Sequence, residues 1–258
     1  MIYLNNTLIV PTLFPDGTSQ VWKLPESLLN SVKFEVDWEF THEGEFMHLA
    51  QLKDLLNMYM VDKKLTLKYL PYARQDKHIT NTTTFSLRTF AKLLNSLEFD
   101  YVAISDPHSS EALELIDGSY AYYPTDLIHN IGFNTKTNLV VYPDKGALDK
   151  YSKVYPFNHI YGEKVRDQLT GNITSYKLIG SPAGKNVLIV DDICDGGATF
   201  KILAVDLYNA GAKEVNLFVT HGIFSKGVNS LKKAGIQRVF TVDGEIFEDH
   251  NGLTYRRL

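Results

Sequence analysis

The stretch from Val187 to Thr199 carries the densest chemistry in the chain. Four apolar residues, Val187, Leu188, Ile189 and Val190, lead into Asp191 and Asp192, and after Ile193 and Cys194 come Asp195, Gly196, Gly197, Ala198 and Thr199. Small residues let backbone N–H groups approach an anion, and a helix start directly behind them supplies the positive potential that suits a phosphate. Two adjacent carboxylates at a strand end can accept hydrogen bonds from sugar hydroxyls or hold a metal. An N-cap and a tight turn use the same residue types. The apolar run immediately before and the helical pattern immediately after favour the ligand-binding reading. The segment lacks the Gly-Lys-Ser/Thr ending of a Walker loop.

Other polar segments also follow apolar runs. Leu65 to Leu70 reads as a buried strand ending in Pro71-Tyr72-Ala73-Arg74-Gln75-Asp76-Lys77. Here Arg74 and Lys77 are fixed cations suited to a polyphosphate, and Gln75 can hydrogen-bond a base or ribose. Asp106-Pro107-His108 follows the apolar run Val102 to Ile104. Val140-Val141-Tyr142 precedes Pro143-Asp144-Lys145-Gly146, and Lys164 and Arg166 form a Lys-x-Arg pair. In a parallel α/β sheet, ligands bind outside the carboxyl ends of the strands, so these are the places where chemistry belongs.

The elements that position them follow from periodicity. Phe34, Val36, Trp38 and Phe40 alternate with polar residues as a half-buried strand does, and Leu8 to Val10 and Val21 to Leu24 flank the turn Pro15-Asp16-Gly17. Phe46, Leu49, Ala50, Leu56, Tyr59 and Met60 predict an amphipathic helix over roughly 44 to 60. The pattern Thr84-Phe85, a helical run to about Leu97 and a strand over 100 to 105 reappears as Thr199-Phe200, a helical run to about Ala210 and a strand from Glu214 to Thr220. Phe90, Ala91, Leu94 and Leu97 match Leu203, Ala204, Leu207 and Tyr208. Each copy follows a strand and a charged loop, the order of a βαβ unit. Two similar α/β halves in tandem are expected, with the boundary near 125 to 138, where Gly132-Phe133-Asn134-Thr135-Lys136 lacks periodicity.

Taken together, these segments resemble ribose-phosphate pyrophosphokinases, the phosphoribosyl diphosphate (PRPP) synthetases, within the type I phosphoribosyltransferase superfamily. The Asp191 to Thr199 stretch is similar to the PRPP signature of that superfamily. Tyr69 to Lys77 closely resembles the synthetases' ATP-binding loop, which ordinary phosphoribosyltransferases lack. Asp106-Pro107-His108 stands where synthetases carry Asp-Leu-His, Pro143 to Gly146 resembles their Ser-Pro-Asp-x-Gly-Gly turn, and Glu163 to Arg166 their mobile catalytic loop. The resemblance is collinear over most of residues 60 to 242. Phe14-Pro15-Asp16-Gly17 also resembles a loop that reaches a neighbouring subunit's adenine.

The resemblance implies an α/β fold of two tandem phosphoribosyltransferase-like domains, each a mainly parallel sheet flanked by helices. Residues 1–130 would carry the ATP loops and 131–258 the ribose 5-phosphate loop, with the residues from 244 onward allowed to pack on the N-terminal domain. It implies transfer of the β,γ-diphosphoryl group of ATP to O1 of ribose 5-phosphate, giving PRPP and AMP for nucleotide and NAD synthesis. Lys164 and Arg166 would be catalytic. Phe14, Asp16, Arg74, Gln75, Lys77 and His108 would bind ATP, His108 and Asp144 would hold Mg²⁺, and Asp191, Asp192, Asp195, Gly196, Gly197, Ala198 and Thr199 would bind ribose 5-phosphate. A site shared through Phe14 and Asp16 implies at least a homodimer. A phosphoribosyltransferase that consumes PRPP, or a non-catalytic synthetase-like regulatory partner, are the alternatives.

The chain departs from the family pattern at identifiable places. Thr18 replaces a Glu, His78 a Lys, Gly196 a Thr, Ala198 a Gly and Ala147 a Gly. Loss of the Thr at 196 removes a hydroxyl donor from the phosphate loop, and Ala147 requires its backbone to avoid φ > 0.

Composition agrees with an enzyme of this kind. The 258 residues are 44% apolar and 22% charged with a net charge of −4. That balance argues against nucleic-acid binding through a broad basic surface. Cys194 is the single cysteine, which excludes an internal disulfide and, with no signal-like start, leads to an expectation of a cytoplasmic protein. No apolar run approaches the ~18 residues of a membrane helix.

Overall fold

A computed structural model of the chain describes residues 1–155, 157–166, 173–249 and 252–256. It divides into two units, Met1–Tyr122 and Tyr123–Leu258.

The N-terminal unit opens with β1 (Ile2–Leu4) and β2 (Thr7–Ile9), an antiparallel hairpin whose turn residues Asn5 and Asn6 both have positive φ, 46° and 63°. That is the primed turn a two-residue hairpin prefers. A second small hairpin pairs β3 (Thr12–Leu13) with β4 (Ser19–Gln20). Then follow β5 (Phe34–Trp38), α1 (Glu45–Leu56), β6 (Lys63–Leu67), α2 (Ser86–Asn95), β7 (Tyr101–Ser105), α3 (Glu111–Leu115) and β8 (Ser119–Tyr122). The main sheet has the order β2-β1-β5-β6-β7-β8, with β5 to β8 parallel. Phe34, Val36 and Trp38 enter the core while Glu35 and Asp37 do not, as the alternation predicts. The first helix is shorter than its pattern, ending at Leu56, and Leu49, Leu52 and Leu56 form its fully buried face. Val21 to Leu24 is not a strand. Val21 and Leu24 are buried, but the Val21 N–H is taken by the Gln51 side chain at 2.7 Å instead of a ladder.

The C-terminal unit runs α4 (Thr125–Asn134), β9 (Leu139–Tyr142), α5 (Lys145–Tyr151), β10 (His159–Arg166), β11 (Ile173–Ile179), β12 (Asn186–Cys194), α6 (Ala198–Asn209), β13 (Glu214–Gly222), α7 (Asn229–Lys233), β14 (Val239–Thr241), β15 (Gly244–Asp249) and β16 (Gly252–Arg256). Its described strands lie in the order β11-β10-β9-β12-β13-β14-β15-β16. The five from β10 to β14 are mutually parallel, and β11, β15 and β16 are antiparallel additions. Val187 to Val190 is continuously apolar because both faces of β12 are covered. Val187 and Ile189 join a core with Phe200, Leu203, Ala204 and Leu207 of α6, whereas Leu188 and Val190 join one with Ile128 and Ile131 of α4 and Ala147 and Tyr151 of α5.

The internal echo is real architecture: β6-α2-β7 and β12-α6-β13 each bring two neighbouring parallel strands together around one helix. One detail differs from the sequence reading. Gly132, Phe133 and Asn134 are not a linker but the last turn of α4, so residue 130 falls inside a helix. The cause is that Ile128 and Ile131 are buried while Phe133 is 86% exposed, which hides the period from a reading that weighs every apolar residue alike. Where they are described, the residues after 244 form β15 and β16, which extend the C-terminal sheet.

Candidate active site

In the C-terminal unit, the parallel run β10-β9-β12-β13 brings the expected residues to neighbouring carboxyl ends. Asp144, just after β9, N-caps α5: its Oδ1 accepts the Ala147 N–H at 2.9 Å. Ala147 is therefore helical and its φ is not positive, so the Gly-to-Ala departure costs nothing there. The Asp144 Oδ2 accepts from Lys164 Nζ at 2.6 Å. Burial alone would raise the Asp144 pKa; the Lys164 hydrogen bond, followed by the Ala147 amide, holds it below the ordinary value. Lys164 sits on β10 beyond the last residue paired with β9, Tyr161, in the part of the strand paired with β11. Arg166 ends that strand, and its side chain lies outside the described residues.

Asp191 and Asp192 belong to β12 itself, which continues to Cys194 instead of ending at Val190. As consecutive strand residues they point to opposite faces. Asp192 is 5% exposed, with Lys150 Nζ of α5 at 3.7 Å from its Oδ2. Asp191 is less enclosed by neighbours on the surface, yet its pKa is raised well above the ordinary carboxylate value, first by burial, then by the charges of Asp192 and Asp144. The three carboxylates thus share one electrostatic neighbourhood, and Lys164 and Lys150 are the cations paired with two of them.

Past β12 the chain turns through Asp195, Gly196 and Gly197 into α6. Gly197 has φ +70°, and a Cβ there would lie 2.7 Å from Leu231 Cδ2, so glycine is required by both conformation and space. As the N-cap it supplies no side-chain acceptor to the first-turn amides, which start at Ala198 and Thr199. An anion can take those amides. Asp195 Oδ1 accepts from Ser225 Oγ at 2.5 Å. Neither Ser225 nor Lys150 was singled out in the sequence; each contact is long-range and leaves no local motif.

In the N-terminal unit the loops after β6 and β7 carry the other expected group. Tyr72 (φ +61°) and the Gln75 N–H to Tyr72 carbonyl bond, 2.9 Å, set the turn, with Ala73 buried beneath it. Arg74, Gln75 and Lys77 are left exposed. Tyr72 Oη donates to Glu43 Oε1 at 2.5 Å, and chiefly that bond pushes its pKa up to about 12. His78 contacts the Thr83 carbonyl through Nδ1, 2.7 Å, and Arg88 Nη2 through Nε2, 2.9 Å. Arg88 can only donate, so Nε2 accepts and the Thr83 carbonyl accepts from Nδ1. Beside this loop a cavity of about 420 Å³ is lined by Trp38, Phe40, Phe46, Tyr72, Phe90 and Leu93. Asp106 follows β7 with φ 42° and is buried, its N–H bonded to the Tyr122 carbonyl at 3.0 Å, and His108 beyond it is exposed.

Phe14 and Asp16 form the tip of the β3–β4 hairpin. Asp16 Oδ1 accepts from the Thr18 N–H (3.0 Å) and Thr18 Oγ1 (2.7 Å), so the residue replacing the family's Glu is used within the turn. Those Thr18 bonds, the backbone one first, lower the Asp16 pKa. The hairpin is fastened to α1 through Ser19 Oγ to His48 Nε2 (2.6 Å) and Gln51 Nε2 to the Ser19 carbonyl (2.9 Å).

Among the described residues no group of three or more His, Cys, Asp or Glu is placed to enclose a metal ion. Both Asp144 oxygens already accept hydrogen bonds. The described residues therefore do not form a protein-built cage, and a hard cation here would be held mostly by substrate oxygens and water. No helix among the described residues is long and apolar enough to cross a membrane.

Residues 152–256 match the phosphoribosyl transferase domain family. The solved phosphoribosylpyrophosphate synthetase from Mycobacterium smegmatis superposes with a TM-score of 0.71 at 24% identity, covering 90% of this chain and 78% of that one, a likeness of fold. A ribose-phosphate pyrophosphokinase from Sulfolobus acidocaldarius is 28% identical over 242 residues, 90% of this chain and 82% of the relative. One from Pyrococcus abyssi is 34% identical over 223 residues, 83% of this chain and 76% of the relative. With that identity sustained over most of both chains, on the two-unit α/β fold described above, the chain belongs to the ribose-phosphate pyrophosphokinase family.

Proposed function

We propose that the chain transfers the β,γ-diphosphoryl group of ATP to O1 of ribose 5-phosphate, forming PRPP and AMP. The observation that supports this best is the row of groups at the ends of β10, β9 and β12: a lysine held by a carboxylate, a buried acid pair and a glycine turn opening onto uncapped helix amides. In that reading the 5-phosphate lies against Gly196, Gly197, Ala198 and Thr199, with Asp195 bracing the turn. Asp191 and Asp192 orient the ribose hydroxyls. O1 attacks the β-phosphorus, the bond from that phosphorus to the bridging oxygen breaks, and AMP leaves. Charge builds on the phosphoryl oxygens, and fixed cations stabilise it better than a protein nucleophile would.

Lys164, with Arg166, is the residue assigned to that charge. Asp144 holds its ammonium at a defined point. Arg74, Gln75 and Lys77 bind ATP, and Phe14 and Asp16 serve the adenine of a neighbouring copy, which makes the working unit at least a dimer. A magnesium ion bound with ATP would supply charge neutralisation at the phosphate oxygens. His108 would hold it, and Asp144 joins only by releasing Lys164. The reading places the enzyme in the cytoplasm.

The test is direct. Purified protein is incubated with ATP, Mg²⁺ and ribose 5-phosphate while AMP and PRPP are measured together. Equal amounts of both are expected; ATP binding with no turnover would refute the enzymatic reading.

A further inference from the structure

The turn after β12 has a charged neighbour, Lys226. Gly196 stands where the family carries Thr, so one hydroxyl donor is missing. The space beside it is not empty: a Cβ on Gly196 would lie 3.5 Å from both Cδ and Cε of Lys226, and 3.8 Å from its Cγ. The lysine stem therefore runs along the face of the turn from which a Thr side chain would project. Its ammonium, one bond beyond Cε, sits at the turn's rim. Lys226 is exposed and, among the described residues, makes no ion pair.

The backbone carrying Lys226 is fixed. Ile223 and Phe224 both donate their N–H to the Cys194 carbonyl, at 2.9 and 3.1 Å. Phe224 has φ 47° and is 4% exposed, and Ser225, next to Lys226, is bonded to Asp195 at 2.5 Å. The loop after β13 is thus tied at three points to the turn after β12. What it delivers to the rim is a flexible cation on a held backbone.

We infer that Lys226 is a binding residue for the 5-phosphate of the sugar substrate, supplying a charged donor in place of the hydroxyl that Gly196 lacks. This rests on the ribose 5-phosphate reading of the turn and adds a residue to it. A lysine ammonium donates to phosphate oxygens as a mobile point charge, so it needs no single geometry, only proximity. It also offsets Asp195, whose carboxylate would otherwise face the dianion. The substrate class it selects is a phosphorylated sugar over the free sugar.

The experiment compares wild type, Lys226→Ala, Lys226→Arg and Lys233→Ala, the last an exposed lysine on α7 as a control for general surface charge. Calorimetric titration with ribose 5-phosphate is run alongside titration with ATP, and far-ultraviolet circular dichroism confirms folding. Lys226→Ala is expected to weaken ribose 5-phosphate binding about tenfold, the scale of one charge-assisted hydrogen bond at an exposed site. ATP affinity should stay within about twofold, and Lys226→Arg and Lys233→Ala should change ribose 5-phosphate binding less than about twofold. Equal ribose 5-phosphate affinity in wild type and Lys226→Ala overturns the inference and leaves the reading of the turn standing. A wild type that binds ATP but no ribose 5-phosphate overturns both.

Discussion

Replacing Lys164 by Ala separates chemistry from stability. The Lys164 to Asp144 pair is short, 2.6 Å, but its side chains are 24% and 36% exposed, which places it between a surface ion pair and a fully buried one. A surface pair contributes about 0–1 kcal/mol, and breaking a buried one costs about 3–5 kcal/mol. Losing this pair should therefore cost about 1–2 kcal/mol, with Asp144 still held by the Ala147 amide. If the same ammonium meets the diphosphoryl charge in the transition state, its loss removes about 3–4 kcal/mol there, a fall of about 10²–10³ in kcat. KM for ATP should rise only a few-fold. Urea unfolding and steady-state rates on one preparation give both quantities. A kcat within about twofold of wild type would refute the role, as would a stability loss large enough to account for the missing activity by unfolding.

Asp191→Asn should trade function for stability. The folded pKa of Asp191 is raised, so the folded state binds the proton more tightly than the unfolded one, and stability falls as pH rises from the ordinary carboxylate value toward the folded value. The penalty is present once pH exceeds the ordinary carboxylate value, so the Asn variant should melt higher than wild type near pH 7 while its ribose 5-phosphate affinity drops; a lower melting temperature would contradict the direction. Glu45→Gln should destabilise the N-terminal unit. Burial would raise the Glu45 pKa, but bonds from the Met1 amino group, Trp38 Nε1 and Thr41 bring it to about 2. Because the folded pKa is depressed, the stabilisation is present above the unfolded value near 4.5 and is lost as pH falls toward 2. The Gln variant should lose about 2–3 kcal/mol at pH 7 and progressively less in acid, read by urea midpoints across pH. Gly197→Ala should cost about 1–3 kcal/mol from its φ and the Leu231 contact and weaken ribose 5-phosphate binding, read by thermal melts and titration.

What could be read from the sequence depended on whether a contact was local. Val187 to Val190 is legible because a strand covered on both faces must be apolar at every position, and the Asp-Gly-Gly turn after it is legible because only glycine tolerates the conformation at 197. The Asn5-Asn6 hairpin is legible by turn chemistry, because asparagine tolerates the positive φ that a two-residue hairpin turn requires. Other contacts leave no trace in order or spacing. Ser225 meets Asp195 from thirty residues away, through the geometry of a crossover helix and a second strand. Lys150 reaches Asp192 because α5 covers one particular face of β12. Asp144 was legible as a candidate from its Pro-Asp turn, but its double duty as helix cap and lysine anchor required knowing that β10 continues past the end of β9.

The position of Trp38 has a spectroscopic consequence. The chain has two tryptophans, Trp22, 64% exposed, and Trp38, 1% exposed in the wall of the aromatic cavity beside Tyr72. Both lie in the N-terminal unit. Indole emission is therefore a one-sided reporter. A collisional quencher will darken Trp22 and spare Trp38, leaving a blue-shifted signal from a single buried ring next to the Arg74 loop. The C-terminal unit contributes no indole of its own. Any change in that buried ring's emission therefore reports on the N-terminal unit alone.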